Sequence, residues 1–383
     1  MKKINILNQV SCYLVYLLPF ALLTGQFLTN LFTAILTVNC LFLIFIQKKF
    51  KYIFNNFFII FLLFCSIQIL SSLLSDYALF SLKSSLLYFR FGVMSILIWY
   101  LIDHNKDFII RFYYYLLFAF ILAVISAVYQ LVYLENFFGL TKPYDRLLLL
   151  FSENTLLGQY LARMFPLLFA LLMYLRNVKL NHYLSIFSLF VVLDVVIYIS
   201  GERTALGITF VSTTFILLFI SRMKIFRIAT IIFSISIIAF LTFNYDHIKE
   251  RNIDTTINQL GLNQDSGKLN FFSPQHESIA GTSIKIYLDN KLFGIGPNNY
   301  RNLCKVNKYN LNKNSCSTHP HHSWIQVITE TGIIGAAFII AIAIYLIMVI
   351  VRHVVSLYYD NQINRLSDFR LCLLACFLCS IFP

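Results

Sequence analysis

Charge is scarce in this chain. Only 12% of its 383 residues are Asp, Glu, Lys or Arg, against about 25% in soluble domains. With a mean hydropathy of +0.74, that shortage excludes an ordinary soluble fold. The first apolar run, about residues 6–28, lacks a clear small-residue cleavage site, so it reads as a retained span and not as a signal peptide. No internal repeat is evident, and the chain reads as one membrane domain. Long polar sequence is also missing, with one exception between about residues 244 and 318.

What is present is a series of apolar runs long enough to cross a hydrocarbon layer of about 30 Å as helices. Eleven spans are expected, at about 8–27, 29–47, 55–74, 86–102, 110–133, 157–175, 183–200, 205–221, 228–243, 332–351 and 370–383. The expected fold is an all-α polytopic transmembrane helical bundle with one large, outward-facing, partly helical loop. The division is 1–243 (N-terminal spans), 244–331 (loop) and 332–383 (C-terminal spans). The last run stops at Pro383, short for a span, so a further helix or two is expected beyond it.

A net charge of +13 invites a nucleic-acid reading, but its distribution argues against one. One set of connections carries Lys2, Lys3, Lys48, Lys49, Lys51, Lys106, Arg111, Arg176, Lys179, Arg222, Lys224, Arg227 and Arg352. The short loops of the other set carry only Lys83, Lys142, Arg146 and Arg203. By the positive-inside rule the first set is cytoplasmic, and the second set and the long loop face outward. Most of the positive charge is topology, and the expected partner is the lipid bilayer, not nucleic acid.

Six cysteines, Cys12, Cys40, Cys65, Cys372, Cys376 and Cys379, lie in apolar runs and read as packing residues. Cys304 and Cys316 lie in the outward loop, where an oxidising exterior favours a disulfide. So short a closed loop contributes roughly 3 kcal/mol by chain entropy.

The loop should contain a short amphipathic helix within 276–300, with Ile284, Ile286, Tyr287 and Leu288 on or near its apolar stripe, ending near Asn290. Gly294-Ile295-Gly296-Pro297 should form a tight turn. A second helix should start at HPHH, residues 319–322, with Pro320 in the first helical position. His319 then falls near the cap and His321 and His322 in the first turn. His322, Gln326 and Glu330 form a polar stripe opposite Ile325 and Ile328.

KLFGIGPNNYR followed by CSTHPHHSWIQVITETGIIG resembles the signature region of the O-antigen ligase and polymerase family. This chain supplies Gly294, Gly296, His319, His321, Gln326, Glu330, Gly332 and Gly335. ISGERTALGI resembles the family's short outward arginine loop through Arg203, and DRLLLLFSENTLLGQYLARMFP a second outward segment through Arg146, Glu153, Gly158 and Arg163. Two departures stand out. The family's Asn after the second His is His322 here. The arginine many members carry before G-x-G is absent, leaving His276, Lys285 or Arg301 as substitutes.

The resemblance implies a bacterial inner-membrane, multi-pass glycosyltransferase whose active loop is periplasmic. It would move a glycan from an undecaprenyl-diphosphate-linked donor to a sugar hydroxyl on lipid A–core. A polymerase that uses a glycan acceptor is the alternative. Arg203, Arg146 and Arg163 would bind the diphosphate as planar forks and stabilise its developing charge. The HPHH helix terminus would add an anion site. His321 would act as base toward the acceptor hydroxyl or position it, with His319 beside it. His322, His276, Arg301 and Glu330 are further candidates. No cofactor and no metal is expected if arginines neutralise the diphosphate.

Each feature has a plainer reading. HPHH can be a solvated turn. Cys316-x2-His319-x-His321 with Cys304 has zinc-ligand spacing. Arg203 can anchor a span end by snorkelling. Arg90 and Arg163 can be structural ion pairs with Asp194, and Glu153 can pair with Arg146 or Arg163. From another class, a transporter or flippase would line its pathway with Arg90, Arg163 and Asp194.

Overall fold

The structure, a computed structural model, describes residues 2–141, 146–175, 180–220, 223–259, 273–359 and 365–381. Lys142, Arg176, Lys179, Arg222, Pro383 and the stretch 260–272 of the polar loop lie outside the described residues, as do the side chains of Lys2 and Lys3.

Every expected span has a helix. These are α1 (Lys2–Thr24), α2 (Gln26–Ile46), α3 (Asn56–Leu73), α4 (Ala78–Ser85), α5 (Phe89–His104), α6 (Phe108–Tyr133), α7 (Leu157–Tyr174), α8 (Leu180–Ile199), α9 (Arg203–Phe219) and α10 (Lys224–Asn244). They are followed by α11 (Pro274–Asp289), α12 (Ser323–Tyr358) and α13 (Asp368–Ile381). Among the described residues eight helices are long and apolar enough to cross a membrane, α4 running into α5 as one of them. Leu184–Ile199 and Arg203–Phe219 are shorter apolar helices, and α13 has 14 residues. No strand forms among the described residues. The protein is an all-α, multi-pass membrane protein.

The chain divides into two compact units, each drawn from separate stretches of sequence. The first comprises residues 1–39, 100–256 and 366–382. Its centre is α7, which packs against α13, α9, α6 and α8 and is buried on nearly every side. Phe165 and Phe169 of α7 pack on Phe190 of α8. Beside them lies an ion pair that charge counting placed in a cytoplasmic loop: Arg227, 1% exposed, stands over the Phe165 ring. It donates to both oxygens of Asp194 at 2.8 and 3.0 Å. Thr213 accepts from the same guanidinium, and Ser234 donates to the carboxylate. Asp194 therefore pairs with Arg227 and not with Arg90 or Arg163. Helix α10 starts three residues before Arg227 and faces α8, which the run of charges on either side conceals. Removing one member of so buried a pair costs about 3–5 kcal/mol.

The second unit comprises residues 40–99 and 257–365. Here α11 and α3 both pack on α12. Helix α11 stops at Asp289 with Asn290 as its cap, as its sequence predicts, but the buried stripe is Ile279, Thr282, Ser283 and Ile286. Ile284 and Leu288 are exposed. The hydroxyl residues Thr282 and Ser283 tolerate the core positions because both hydroxyls are bonded: Thr282 donates to the Tyr309 carbonyl and Ser283 to that of Ile279.

Helix α12 is interrupted at Gly332, whose φ of 63° and ψ of −164° are not helical. The break lets residues 291–296 lie backbone to backbone with residues 329–334. Ile295 N–H donates to Thr329 O at 3.1 Å, Gly296 N–H to Glu330 O at 2.8 Å and Ile333 N–H to Lys291 O at 2.8 Å. Gly294 and Gly332 both have positive φ. A Cβ on Gly294 would meet the Glu330 carbonyl and one on Gly332 the Leu292 carbonyl. The spaced glycines of the two motifs are thus one crossing, needed for left-handed backbone and for close approach.

Candidate active site

In the second unit the loop before α12 gathers three histidine rings. His319 and His321 have ring centroids 4.1 Å apart. His276, in the first turn of α11, sits 5.7 Å from His321. Each ring is held by a neighbouring hydroxyl: Ser317 Oγ to His321 Nε2 at 2.6 Å, Thr318 Oγ1 to His319 Nδ1 at 2.9 Å, and Ser273 Oγ to His276 Nδ1 at 2.6 Å. Desolvation holds His321 and His322 below the ordinary imidazole range. His319 is lowered first by burial, then by the charges of His321 and Arg301. Burial thus favours the neutral form of His319, His321 and His322.

The helix begins later than its sequence suggests. The N-cap is His322, whose ring accepts from Ile325 N–H at 3.4 Å. Pro320 lies three residues before the first helical residue. His321 sits in the left-handed region at φ 57°, which stops helix from propagating back to the proline. His321 is thus on the loop, outside the first turn, and the capping ring occupies one of the N–H groups an anion would use.

The polar stripe is present. Gln326 Nε2 donates to both carboxyl oxygens of Glu330, and Asn298 N–H donates to Glu330 Oε1 at 3.1 Å. Of the three substitutes for the missing arginine, Arg301 stacks on Phe80, and its charge reaches Glu330 and His319. His276 touches His321, while Lys285 is exposed on α11.

Sequence reading missed the serines that hold this loop. Ser71 donates to the carbonyls of Phe293 and Glu330, Ser81 to Pro297 O, and Asn299 Nδ2 to Ser75 Oγ. Asn298 Nδ2 bonds Ser84 Oγ. The only signal was serine density over 71–85, next to an apolar span.

Cys304 and Cys316 are joined, with Cα atoms 5.2 Å apart. Two sulfurs bonded to each other are not thiolate ligands, so the zinc reading loses half of its set. Mass spectrometry of membranes prepared with thiols blocked should find the Cys304–Cys316 peptide pair linked. Both thiols free, with activity lost on chelation and restored by zinc, would reinstate the metal.

In the first unit a second group surrounds the turn between α8 and α9. Arg203 is the first residue of α9. Arg146 lies near enough for its charge to act on Arg203. Arg251, which sequence reading passed over, donates through Nε and Nη2 to Gly201 O at 3.2 and 2.9 Å. Glu202, also passed over, is buried there, and burial raises its carboxyl to about 8. Backbone N–H groups of Gly158 and Gln159, then Arg146 and Arg251, oppose that rise. Arg163 is elsewhere on α7, its guanidinium donating to the carbonyls of Cys379 and Ser380 in α13. Glu153 is exposed and forms no ion pair with Arg146 or Arg163 among the described residues.

The protein is thus a multi-pass helical membrane protein with a histidine loop in one unit and an arginine turn in the other. Residues 187–340 match the family described as O-Antigen ligase. The match takes in Arg203, His276, Arg301, Glu330 and the HPHH segment. It begins after the stretch that carries Arg146 and Arg163. No curated protein matches the chain.

Proposed function

We propose that the protein transfers a glycan from undecaprenyl diphosphate to a sugar hydroxyl of lipid A–core, on the periplasmic face of the inner membrane. The observation that carries this reading is His321: an imidazole oriented by Ser317, kept neutral by desolvation, within the segment that matches the family. In this reading the acceptor oxygen attacks C1 of the donor sugar. His321 takes its proton, the bond from C1 to the diphosphate oxygen breaks, and the diphosphate leaves with the bonding pair. Arg203, Arg146 and Arg251 balance the charge that accumulates on it. Arg301 and His276 take the place of the family's further arginine. Arg163 is left out because it already serves the last turn of α13.

Deletion of the gene followed by electrophoresis of lipopolysaccharide tests the assignment. A ligase leaves core with no added glycan. Core bearing one repeat unit would identify a polymerase instead. Lipopolysaccharide unchanged from the parent strain would remove both.

A further inference from the structure

Glu202 is the N-cap residue of α9 but does not cap it with its side chain. The side chain reaches across to α7. Its Oε1 accepts from Gly158 N–H at 2.8 Å, in the first turn of a helix whose own cap residue, Leu156, offers no side-chain bond. The other oxygen, Oε2, is buried and has no hydrogen-bond partner among the described residues, in a side chain only 5% exposed. The fit around it is close. A Cβ on Gly158 would stand 3.0 Å from Glu202 Oε1 and collide with Ser200 Oγ. The same turn is fixed on two more sides, by Leu147 N–H on Ser200 O at 3.4 Å and by Arg251 on Gly201 O.

We propose that Glu202 is a positioning residue that works as a neutral acid, clasping the N-terminus of α7 with one oxygen so that Arg203 starts α9 in a fixed direction. The inference rests on the reading of the arginine turn as the diphosphate grip. An ionised carboxylate at this place would be a built-in competitor for that anion, since the charges of Arg146 and Arg251 both act on Glu202. A neutral acid keeps the clasp and leaves the guanidinium charge to be balanced by the diphosphate. The groups facing Glu202 are Arg146 from the 146–150 segment, Arg251 from the turn after α10, and the N–H groups of Gly158 and Gln159 from α7. Arg203 follows it in the chain. Tyr160 of α7 packs on Phe120. Burial is the largest influence and favours the proton, so the neutral form prevails at pH 7.

The sign for stability follows from the same fact. The folded state holds the proton to about 8, whereas an unfolded glutamate releases it near 4.5. Glu202's contribution is whole below about 4.5 and is lost as the pH rises through about 8.

The test uses the full chain in nanodiscs with inorganic pyrophosphate as the probe, from about pH 6 to about pH 9.5. Wild-type affinity should fall by about tenfold more than that of Glu202→Gln over this range, because only the wild type gains a negative charge. Glu202→Gln keeps an oxygen for Gly158 and should restore most of the pH 7 affinity that Glu202→Ala loses. Glu202→Asp, one methylene short of the clasp, should resemble Ala. Thermal unfolding without ligand gives a second readout: the wild-type midpoint should drop toward alkaline pH more steeply than that of Glu202→Gln. Parallel pH profiles for the wild type and Gln, in binding or in melting, would overturn the proposal, as would a Gln variant as weak as Ala at pH 7. The diphosphate reading fails separately, if Arg203→Ala binds pyrophosphate as tightly as the wild type.

Discussion

Replacing His321 should lower glycan transfer by roughly a hundred- to ten-thousandfold, the range a positioned general base supplies. The protein should still insert and accumulate. Alanine is not the best probe by itself, because His321 occupies the left-handed region at φ 57°. A Cβ-bearing residue costs roughly 1–2 kcal/mol there, except Asn or Asp, which visit it readily. His321→Asn removes the imidazole and tolerates the backbone, so the two variants together separate chemistry from folding. The measurement is turnover of purified enzyme on a polyprenyl-diphosphate glycan, with protein yield recorded beside it. Full turnover by a folded His321→Asn enzyme would take His321 out of the mechanism. His319→Ala should be milder, since its ring only packs beside His321 and its Nδ1 is spent on Thr318. Desolvation lowers both rings, so the base form persists into mildly acidic solution. The acidic limb of the rate profile should lie below the ordinary imidazole range.

What could be read from the sequence was whatever local pattern determines. Apolar runs gave the helices, since a membrane span satisfies its own backbone and needs no distant partner. The end of α11 at its cap, Asn290, and the polar stripe Gln326–Glu330 were legible for the same reason. The register of α11 was not. Of the expected stripe Ile284, Ile286, Tyr287 and Leu288, Ile286 is in the core and Ile284 and Leu288 are exposed; Ile279 joins Ile286 there, together with Ile295, Tyr300, Leu303 and Cys304. That choice is made by what packs against the helix.

Contacts between distant stretches were hidden. Nothing local to Ser71 points to the carbonyls of Phe293 and Glu330, more than two hundred residues away. Arg227 looked like one more cytoplasmic charge until Asp194 was placed opposite it. His322 displaced Pro320 as the start of α12 because the left-handed turn at His321 intervenes. A non-glycine residue adopts that conformation only in a small minority of cases, so the local sequence does not announce it. Glu202 stood in the quoted motif beside Arg203, yet its partner is Gly158, 44 residues earlier.

Arg203→Lys should be nearly as inactive as Arg203→Ala, both down roughly a hundred- to a thousandfold, the usual cost of removing a transition-state charge donor. Lysine keeps the charge and loses the planar fork that holds two phosphate oxygens at once. The turn around Arg203 is built to fix direction. Leu147 holds Ser200, Arg251 holds Gly201 and Gly158 holds Glu202. A flexible ammonium makes little use of such fixation. The competing view, in which Arg203 only anchors a span end by snorkelling, predicts the opposite, because lysine snorkels as well as arginine. Turnover and pyrophosphate affinity of the two variants, measured in the same membrane preparation, decide between them. Wild-type turnover in Arg203→Lys would make Arg203 an anchor. Loss in both variants, with insertion intact, would leave the guanidinium fork as the part that matters.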